Sequence, residues 1–78
     1  MANVTIYTTP TCVYCKMTTE FFKEHNVQYT EKDVAGDAVA REEMVKKSGQ
    51  MGVPVIDIDG ELIIGFDKER LSELLKIS

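Results

Sequence analysis

The chain has 78 residues, of which 44% are hydrophobic, and its net charge is −4. This length predicts a single domain, residues 1–78, with a small packed core. No apolar run reaches the about 20 residues of a membrane span, and no basic, apolar secretory leader is evident. Since an acidic chain is poorly suited to nucleic acids and anionic membranes, we expect neither as a partner.

The two cysteines of the chain, Cys12 and Cys15, form a C-x-x-C motif where a strand is predicted to give way to a helix. Residues 4–8 are rich in β-branched and aromatic side chains, as strands are. Residues 9–11 interrupt this pattern before the helix. Unpaired N–H groups at a helix N-terminus stabilise a thiolate. The sequence therefore predicts that Cys12 is a nucleophile and that Cys15, one turn later, resolves its mixed disulfides.

The sequence gives less support to two other roles for the motif, a structural zinc site and a structural disulfide. A structural zinc site needs four ligands, and beyond the cysteines the chain has one histidine, His25. A structural disulfide across so short a loop would constrain the unfolded chain very little. We therefore expect a redox-active dithiol and no metal ligands. A dithiol without other disulfides is typical of a reducing compartment, so we expect a cytoplasmic protein.

The first half of the chain predicts a strand, a helix and a second strand. The helix covers residues 13–25, because Val13, Met17 and Phe21 follow helical spacing. The second strand is predicted over residues 27–34. Two strands joined by a helix form a right-handed parallel β-α-β unit.

The next helix is predicted to begin at Asp37, a good N-cap residue, and to end near Ser48. Gly49 stands where a helix ends in a left-handed cap. Beyond this point the pattern changes to two short apolar strands.

These two strands are predicted over residues 53–58 and 61–64, and Asp59-Gly60 between them is a strong hairpin signal. Asp67 is expected to cap the last helix. Its inner face is predicted to carry three leucines, Leu71, Leu74 and Leu75. The complete order is β-α-β-α-β-β-α, with one mixed sheet and helices on both of its faces.

Three motifs in this order resemble those of the glutaredoxins. Residues 7–15, YTTPTCVYC, are similar to the glutaredoxin pattern Y-[ST]-K-x-x-C-P-Y-C. Residues 48–54, SGQMGVP, are similar to the T-G-Q-x-T-V-P segment that carries the family's cis-proline, and residues 65–67, GFD, lie where glutaredoxins have G-x-D-D. The resemblance covers the whole chain.

The resemblance implies an α/β chain with the thioredoxin fold in its minimal form, with a four-stranded mixed sheet. It also implies a monomeric dithiol–disulfide oxidoreductase that acts on protein disulfides or glutathione mixed disulfides. No tightly bound cofactor is implied, and glutathione is the expected reductant or substrate. The residues implied to contact glutathione or substrate are Tyr14, Gln50, Val53, Pro54 and Asp67, and the Val53–Pro54 peptide bond is expected to be cis.

Some positions depart from the glutaredoxin pattern. Val13 replaces the usual proline, and together with Gly65-Phe66 it resembles the redoxins that donate electrons to ribonucleotide reductase and are reduced by thioredoxin reductase. Thr9 stands where both groups usually have a lysine that helps to bind glutathione. Lys68 replaces the second aspartate of G-x-D-D. The electron donor therefore stays open between glutathione and thioredoxin reductase, with weak glutathione coupling expected.

A second class of function is also open at this point. Some glutaredoxins hold a [2Fe–2S] cluster between two chains, using the first cysteine of each chain and glutathione. Val13 in place of proline would relax the site, whereas Cys15 would compete by forming a disulfide with Cys12. An iron–sulfur cluster module is therefore the alternative hypothesis.

Overall fold

The computed structural model describes residues 3–76 and has the predicted element order, β-α-β-α-β-β-α. The strands are β1 (Val4–Thr8), β2 (Thr30–Asp33), β3 (Val55–Ile58) and β4 (Glu61–Ile64), and the helices are α1 (Val13–Glu24), α2 (Ala38–Ser48) and α3 (Lys68–Leu75). Within residues 3–76, no helix combines the length and the apolar character that a membrane crossing requires.

The four strands form one mixed sheet in the order β2-β1-β3-β4. β1 and β2 are parallel, whereas β3 is antiparallel to both β1 and β4. Helices α1 and α3 pack on one face, over a core that includes Ile6 and Phe22. Helix α2 packs on the other face, over Tyr7 and Val55. Because adjacent strand residues point to opposite faces, Ile6 and Tyr7 belong to different cores.

Two strands are shorter than predicted. β2 covers only Thr30–Asp33 of the predicted 27–34, and the preceding Tyr29 packs its ring against the core under α1. β3 begins at Val55 because Pro54 has no N–H group to contribute to the strand ladder. The sequence therefore overestimated how far the backbone pairing of both strands extends.

The local turn and capping predictions are confirmed. The side chain of Asp37 accepts hydrogen bonds from the N–H groups at the start of α2, and Gly49 ends that helix with a φ of 73°. Asp59 and Gly60 have φ values of 52° and 92° between β3 and β4. Positive φ at both positions is the conformation of a two-residue type I′ hairpin turn.

The apolar stripe predicted on α1 is only half buried. Phe21 and Phe22 lie in the core, but Val13 is 68% exposed and Met17 is 42% exposed. The remaining buried residues of this helix are Cys15, Thr18 and Thr19. The first two turns of α1 therefore leave apolar side chains in solvent beside the cysteines.

A polar network fastens α2 to the sheet on the face opposite α1. The buried Tyr7 hydroxyl donates to Glu43 at 2.7 Å and accepts from Lys47 at 3.2 Å. Lys47 also donates to Asp57 at 3.0 Å, and Lys32 donates to Glu43 at 3.1 Å. The hydrogen bond from Tyr7, followed by that from Lys32, lowers the pKa of Glu43 to about 2. No local sequence pattern indicated this network.

Candidate active site

Several segments named by the sequence motifs meet at one end of the sheet. Because β3 runs antiparallel to its neighbours, its N-terminal end lies beside the C-terminal ends of β1 and β4. Cys12 and Cys15 follow β1 at this end, and Val53 and Pro54 precede β3. The N–H of Gly65, just after β4, donates to the carbonyl of Pro54 at 2.8 Å. The topology therefore places the proline loop alongside the dithiol.

Cys12 is the N-cap of α1 and is half-buried. Its backbone is extended, and its Sγ accepts a hydrogen bond from the N–H of Cys15 at 3.1 Å. Its own N–H donates to the carbonyl of Thr9 at 3.2 Å, which fixes the approach to the helix. A sulfur that receives a backbone N–H at a helix N-terminus is well placed to carry negative charge.

Cys15 lies behind Cys12 and is only 3% exposed. Both cysteines are free thiols in this structure. Burial, followed by the hydrogen bond with Cys12, raises the pKa of Cys15 to about 12, while a hydrogen bond with the Thr9 backbone acts in the opposite direction. Cys15 is therefore a neutral thiol at ordinary pH. The two sulfurs differ in accessibility and in hydrogen bonding, as a nucleophile and a resolving thiol would.

The loop before β3 contains the expected cis Val53–Pro54 peptide bond, with Pro54 buried and Val53 half-buried. The side chain of Gln50 forms hydrogen bonds within this loop. Its Nε2 donates to the carbonyl of Gly52 at 3.1 Å, and its Oε1 accepts from the N–H of Gly52 at 2.5 Å. Both ends of the Gln50 amide are therefore used within the loop.

The two remaining residues predicted from the motifs are exposed. Tyr14 lies between the cysteines in the first turn of α1. Asp67 is the N-cap of α3, and its Oδ1 accepts from the N–H of Arg70 at 3.1 Å. Lys68, beside it, is exposed, and Thr9 is half-buried. Asp67 thus has a structural role that does not depend on any ligand.

One polar pair near the dithiol was not predicted. The buried Thr8 hydroxyl donates to Oε2 of Glu31 at 3.0 Å. Glu31 pairs with Ile6 across β1 and β2, so it lies on the sheet face that α1 covers. The alternation of Val4, Ile6 and Thr8 could have shown that Thr8 faces α1, but locating Glu31 requires the strand register.

The sequence profile of one protein family, described as Glutaredoxin, matches residues 4–63 of the chain. That match covers most of the sequence and includes both cysteines. The chain belongs to the glutaredoxin family. This glutaredoxin is accordingly a thiol–disulfide oxidoreductase of that family with a redox-active C-x-x-C pair.

Two relatives match this glutaredoxin over most of their length. An uncharacterized glutaredoxin-like 8.6 kDa protein in the rubredoxin operon of Clostridium pasteurianum is 47% identical over 73 residues, which cover 94% of this chain and 97% of that protein. Glutaredoxin 3 of Escherichia coli (strain K12) is 45% identical over 67 residues, which cover 86% of this chain and 81% of that protein.

Solved structures confirm the thioredoxin fold of this glutaredoxin. A mutant of the thioredoxin-like protein BC3987 superimposes with a TM-score of 0.93 at 38% identity, covering 100% of both chains. The glutaredoxin-like NrdH-redoxin from Escherichia coli superimposes with a TM-score of 0.81 at 24% identity, covering 92% of this chain and 93% of that one. The second likeness concerns the fold alone.

Proposed function

We propose that this glutaredoxin reduces protein disulfides and glutathione mixed disulfides by a two-cysteine reaction in which Cys12 attacks and Cys15 resolves. The observation that carries the proposal is the asymmetry of the two sulfurs. Cys12 is accessible and receives the Cys15 N–H at 3.1 Å, whereas Cys15 is buried and protonated. An incoming disulfide therefore meets Cys12 first.

In the first step, the Cys12 thiolate attacks one sulfur of the substrate disulfide. That bond breaks, a mixed disulfide forms, and the other substrate sulfur leaves as a thiolate that is protonated by solvent. In the second step, Cys15 loses its proton and attacks the Cys12 sulfur, which releases the second substrate thiolate. Two electrons pass to the substrate, and the Cys12–Cys15 disulfide is left for an external reductant.

The exposed surroundings of Cys12 suggest how the substrate is held. We assign the backbone of Val53 to strand-like pairing with an extended substrate or with glutathione, a common mode of peptide recognition. Pro54 keeps a backbone N–H away from this position, since proline has none. Tyr14 and Asp67 are proposed as side-chain contacts. Gln50 contributes by holding the loop, because its amide is already bonded within it.

A Cys15→Ser variant is expected to stop after the first step. Because the buried resolving thiol is then missing, Cys12 should remain joined to the substrate as a mixed disulfide. Mass spectrometry after mixing with an excess of a small aromatic disulfide such as DTNB measures this directly. We expect one adduct per chain in the variant, and an internal disulfide without adduct in the parent protein.

A Cys15→Ala variant serves as the matched control, since alanine removes the thiol without adding a hydroxyl group. It should trap the same adduct as Cys15→Ser. Release of both substrate thiolates by either variant would show that Cys15 does not resolve the mixed disulfide.

We further propose that glutathione couples only weakly to this dithiol. Thr9 offers no positive charge to a glutathione carboxylate. Lys68 places a positive charge near the site where the glutathione amine would be bound. Asp67 already has one oxygen in the α3 cap. A charge-assisted hydrogen bond contributes about 1.5–3 kcal/mol, so each lost contact weakens binding about ten- to a hundredfold.

Thr9→Lys is therefore expected to improve turnover with glutathione, lowering KM for glutathione by about tenfold or more, because one charged contact is restored. The assay couples the oxidised protein to glutathione, glutathione reductase and NADPH, with thioredoxin reductase alone as a parallel assay. Thr11→Lys is the matched control, since Thr11 is exposed in the same loop. An equal gain from both variants, or saturation of the parent at sub-millimolar glutathione, would contradict weak coupling.

We propose a cytoplasmic monomer with disulfide-containing proteins as partners, since a free dithiol suits a reducing compartment. The cluster-binding alternative stays a prediction. Anaerobic reconstitution with iron, sulfide and glutathione, followed by visible absorbance, tests it.

A further inference from the structure

Both ends of the proline loop, residues 49–54, are attached to one buried side chain, that of Tyr7. The loop follows the end of α2 at Ser48, and Lys47 of that helix donates to the Tyr7 hydroxyl at 3.2 Å. At the other end of the loop, Val55 pairs with Tyr7 in the register of β1 and β3. The conformation of the loop therefore depends on how firmly α2 is held against Tyr7.

The Tyr7 hydroxyl holds α2 at two positions that are one helical turn apart. Tyr7 is fully buried, and its hydroxyl donates to Glu43 at 2.7 Å as well as accepting from Lys47. Lys47 also donates to Asp57 of β3 at 3.0 Å, and Lys32 of β2 donates to Glu43 at 3.1 Å. These bonds tie three strands to the C-terminal half of α2, directly before the proline loop.

Tyr7 is linked to both parts of the candidate active site. It lies in β1, the strand that leads to Cys12. The side chain of Val53, whose backbone is proposed to pair with substrate, packs against the core cluster that contains Tyr7. The sulfur of Cys12, by contrast, accepts its hydrogen bond from the Cys15 N–H. A change at the Tyr7 hydroxyl is therefore expected to move the proline loop while leaving the thiol chemistry intact.

We propose that Tyr7 and Lys47 are positioning residues that hold the proline loop for the capture of extended peptide substrates. The inference rests on the proposed function, in which the backbone of Val53 pairs with substrate. Without the bond to Tyr7, α2 and the loop occupy their binding-competent arrangement for a smaller fraction of the time. The apparent affinity for a peptide falls by that fraction, whereas a small disulfide that does not pair with the loop is unaffected.

The test compares two disulfides that release the same coloured thiolate, thionitrobenzoate. One is DTNB, and the other is a short uncharged peptide whose single cysteine is joined to thionitrobenzoate. In each case Cys12 attacks a sulfur, a mixed disulfide forms and thionitrobenzoate leaves, since it is the better leaving group. Stopped-flow absorbance in a Cys15→Ser background follows this step alone, because no resolving thiol is present.

In Tyr7→Phe, which keeps the buried ring, we expect the peptide concentration for half-maximal rate to rise roughly three- to tenfold, as expected for one hydrogen bond. The limiting rate with peptide and the rate constant with DTNB should not change. Lys47→Met should give the same pattern, and it carries the test if Tyr7→Phe does not fold. Lys47→Arg keeps the charge and the donors and should stay near the parent. Lys46→Met, at an exposed position of the same helix, is the matched control and should change nothing.

An Ile58→Val variant separates positioning from a general loss of stability. Ile58 is buried in the core on the opposite face of the sheet, and shortening a buried isoleucine destabilises a fold. The variant should melt at a lower temperature than the parent and yet show the same half-saturating peptide concentration.

Each failure points to a different statement. An unchanged half-saturating peptide concentration in the Tyr7 and Lys47 variants overturns this inference alone, and so does an equal loss of rate toward DTNB or the same shift in Ile58→Val. A parent protein that reacts with DTNB but does not saturate with peptide overturns the proposed pairing at Val53, and the inference with it. A parent protein that does not react with DTNB overturns the two-cysteine function itself.

Discussion

Replacing Cys12 with serine is expected to abolish disulfide reduction while leaving the protein folded. The hydroxyl group cannot replace the thiolate as a nucleophile toward sulfur. Serine is nevertheless a favoured N-cap residue, so the start of α1 should be preserved. Insulin reduction with dithiothreitol as electron donor measures the activity, and thermal unfolding followed by circular dichroism measures the stability.

The neighbouring Thr11→Ser substitution is the control, because it places a serine in the same loop without touching either sulfur. It should retain parent activity. Comparable insulin reduction by Cys12→Ser and the parent would show that the chemistry does not start at Cys12.

The largest loss of stability is expected from Phe22→Ala. Phe22, on α1, is fully buried in the core between the sheet and helices α1 and α3. Its ring centroid is 5.2 Å from that of Tyr29. Truncating a buried phenylalanine costs about 3–5 kcal/mol, because apolar contacts are lost and a cavity is left. Domains are stable by only about 5–15 kcal/mol in total, so we expect a much lower urea midpoint or complete unfolding.

Two further substitutions serve as comparisons for the stability loss in Phe22→Ala. Phe22→Leu keeps most of the buried volume and should cost clearly less than Phe22→Ala. Val39→Ala removes an exposed side chain from α2 and should change the free energy of unfolding by no more than about 0.5 kcal/mol. Similar losses from Phe22→Ala and Val39→Ala would mean that the core is not centred on α1.

The features that depend on neighbouring residues were predictable from the sequence. Asp59-Gly60 identified the hairpin because both positions tolerate positive φ, and Gly49 identified the end of α2 for the same reason. The C-x-x-C motif after a strand placed Cys12 at a helix N-terminus, where the structure has it. In each case the physical cause lies within a few residues of the signal.

The features that depend on the strand register were not predictable. Thr8 and Glu31 meet only because β1 and β2 pair in parallel. The bond of Tyr7 to Glu43 likewise requires the docking of α2 on the sheet. The exposure of Val13 was missed because helical spacing alone does not say which turns of an apolar stripe are covered.

The hydrogen bond from the Cys15 N–H to the Cys12 sulfur has a consequence for the energy of the whole catalytic cycle. The same bond caps α1 and would support a negative charge on the proposed nucleophile. A sulfur joined to substrate carries no charge and is a weaker acceptor. The hydrogen bond that caps α1 is therefore expected to weaken while substrate is attached to Cys12 and to strengthen again when the thiolate is released.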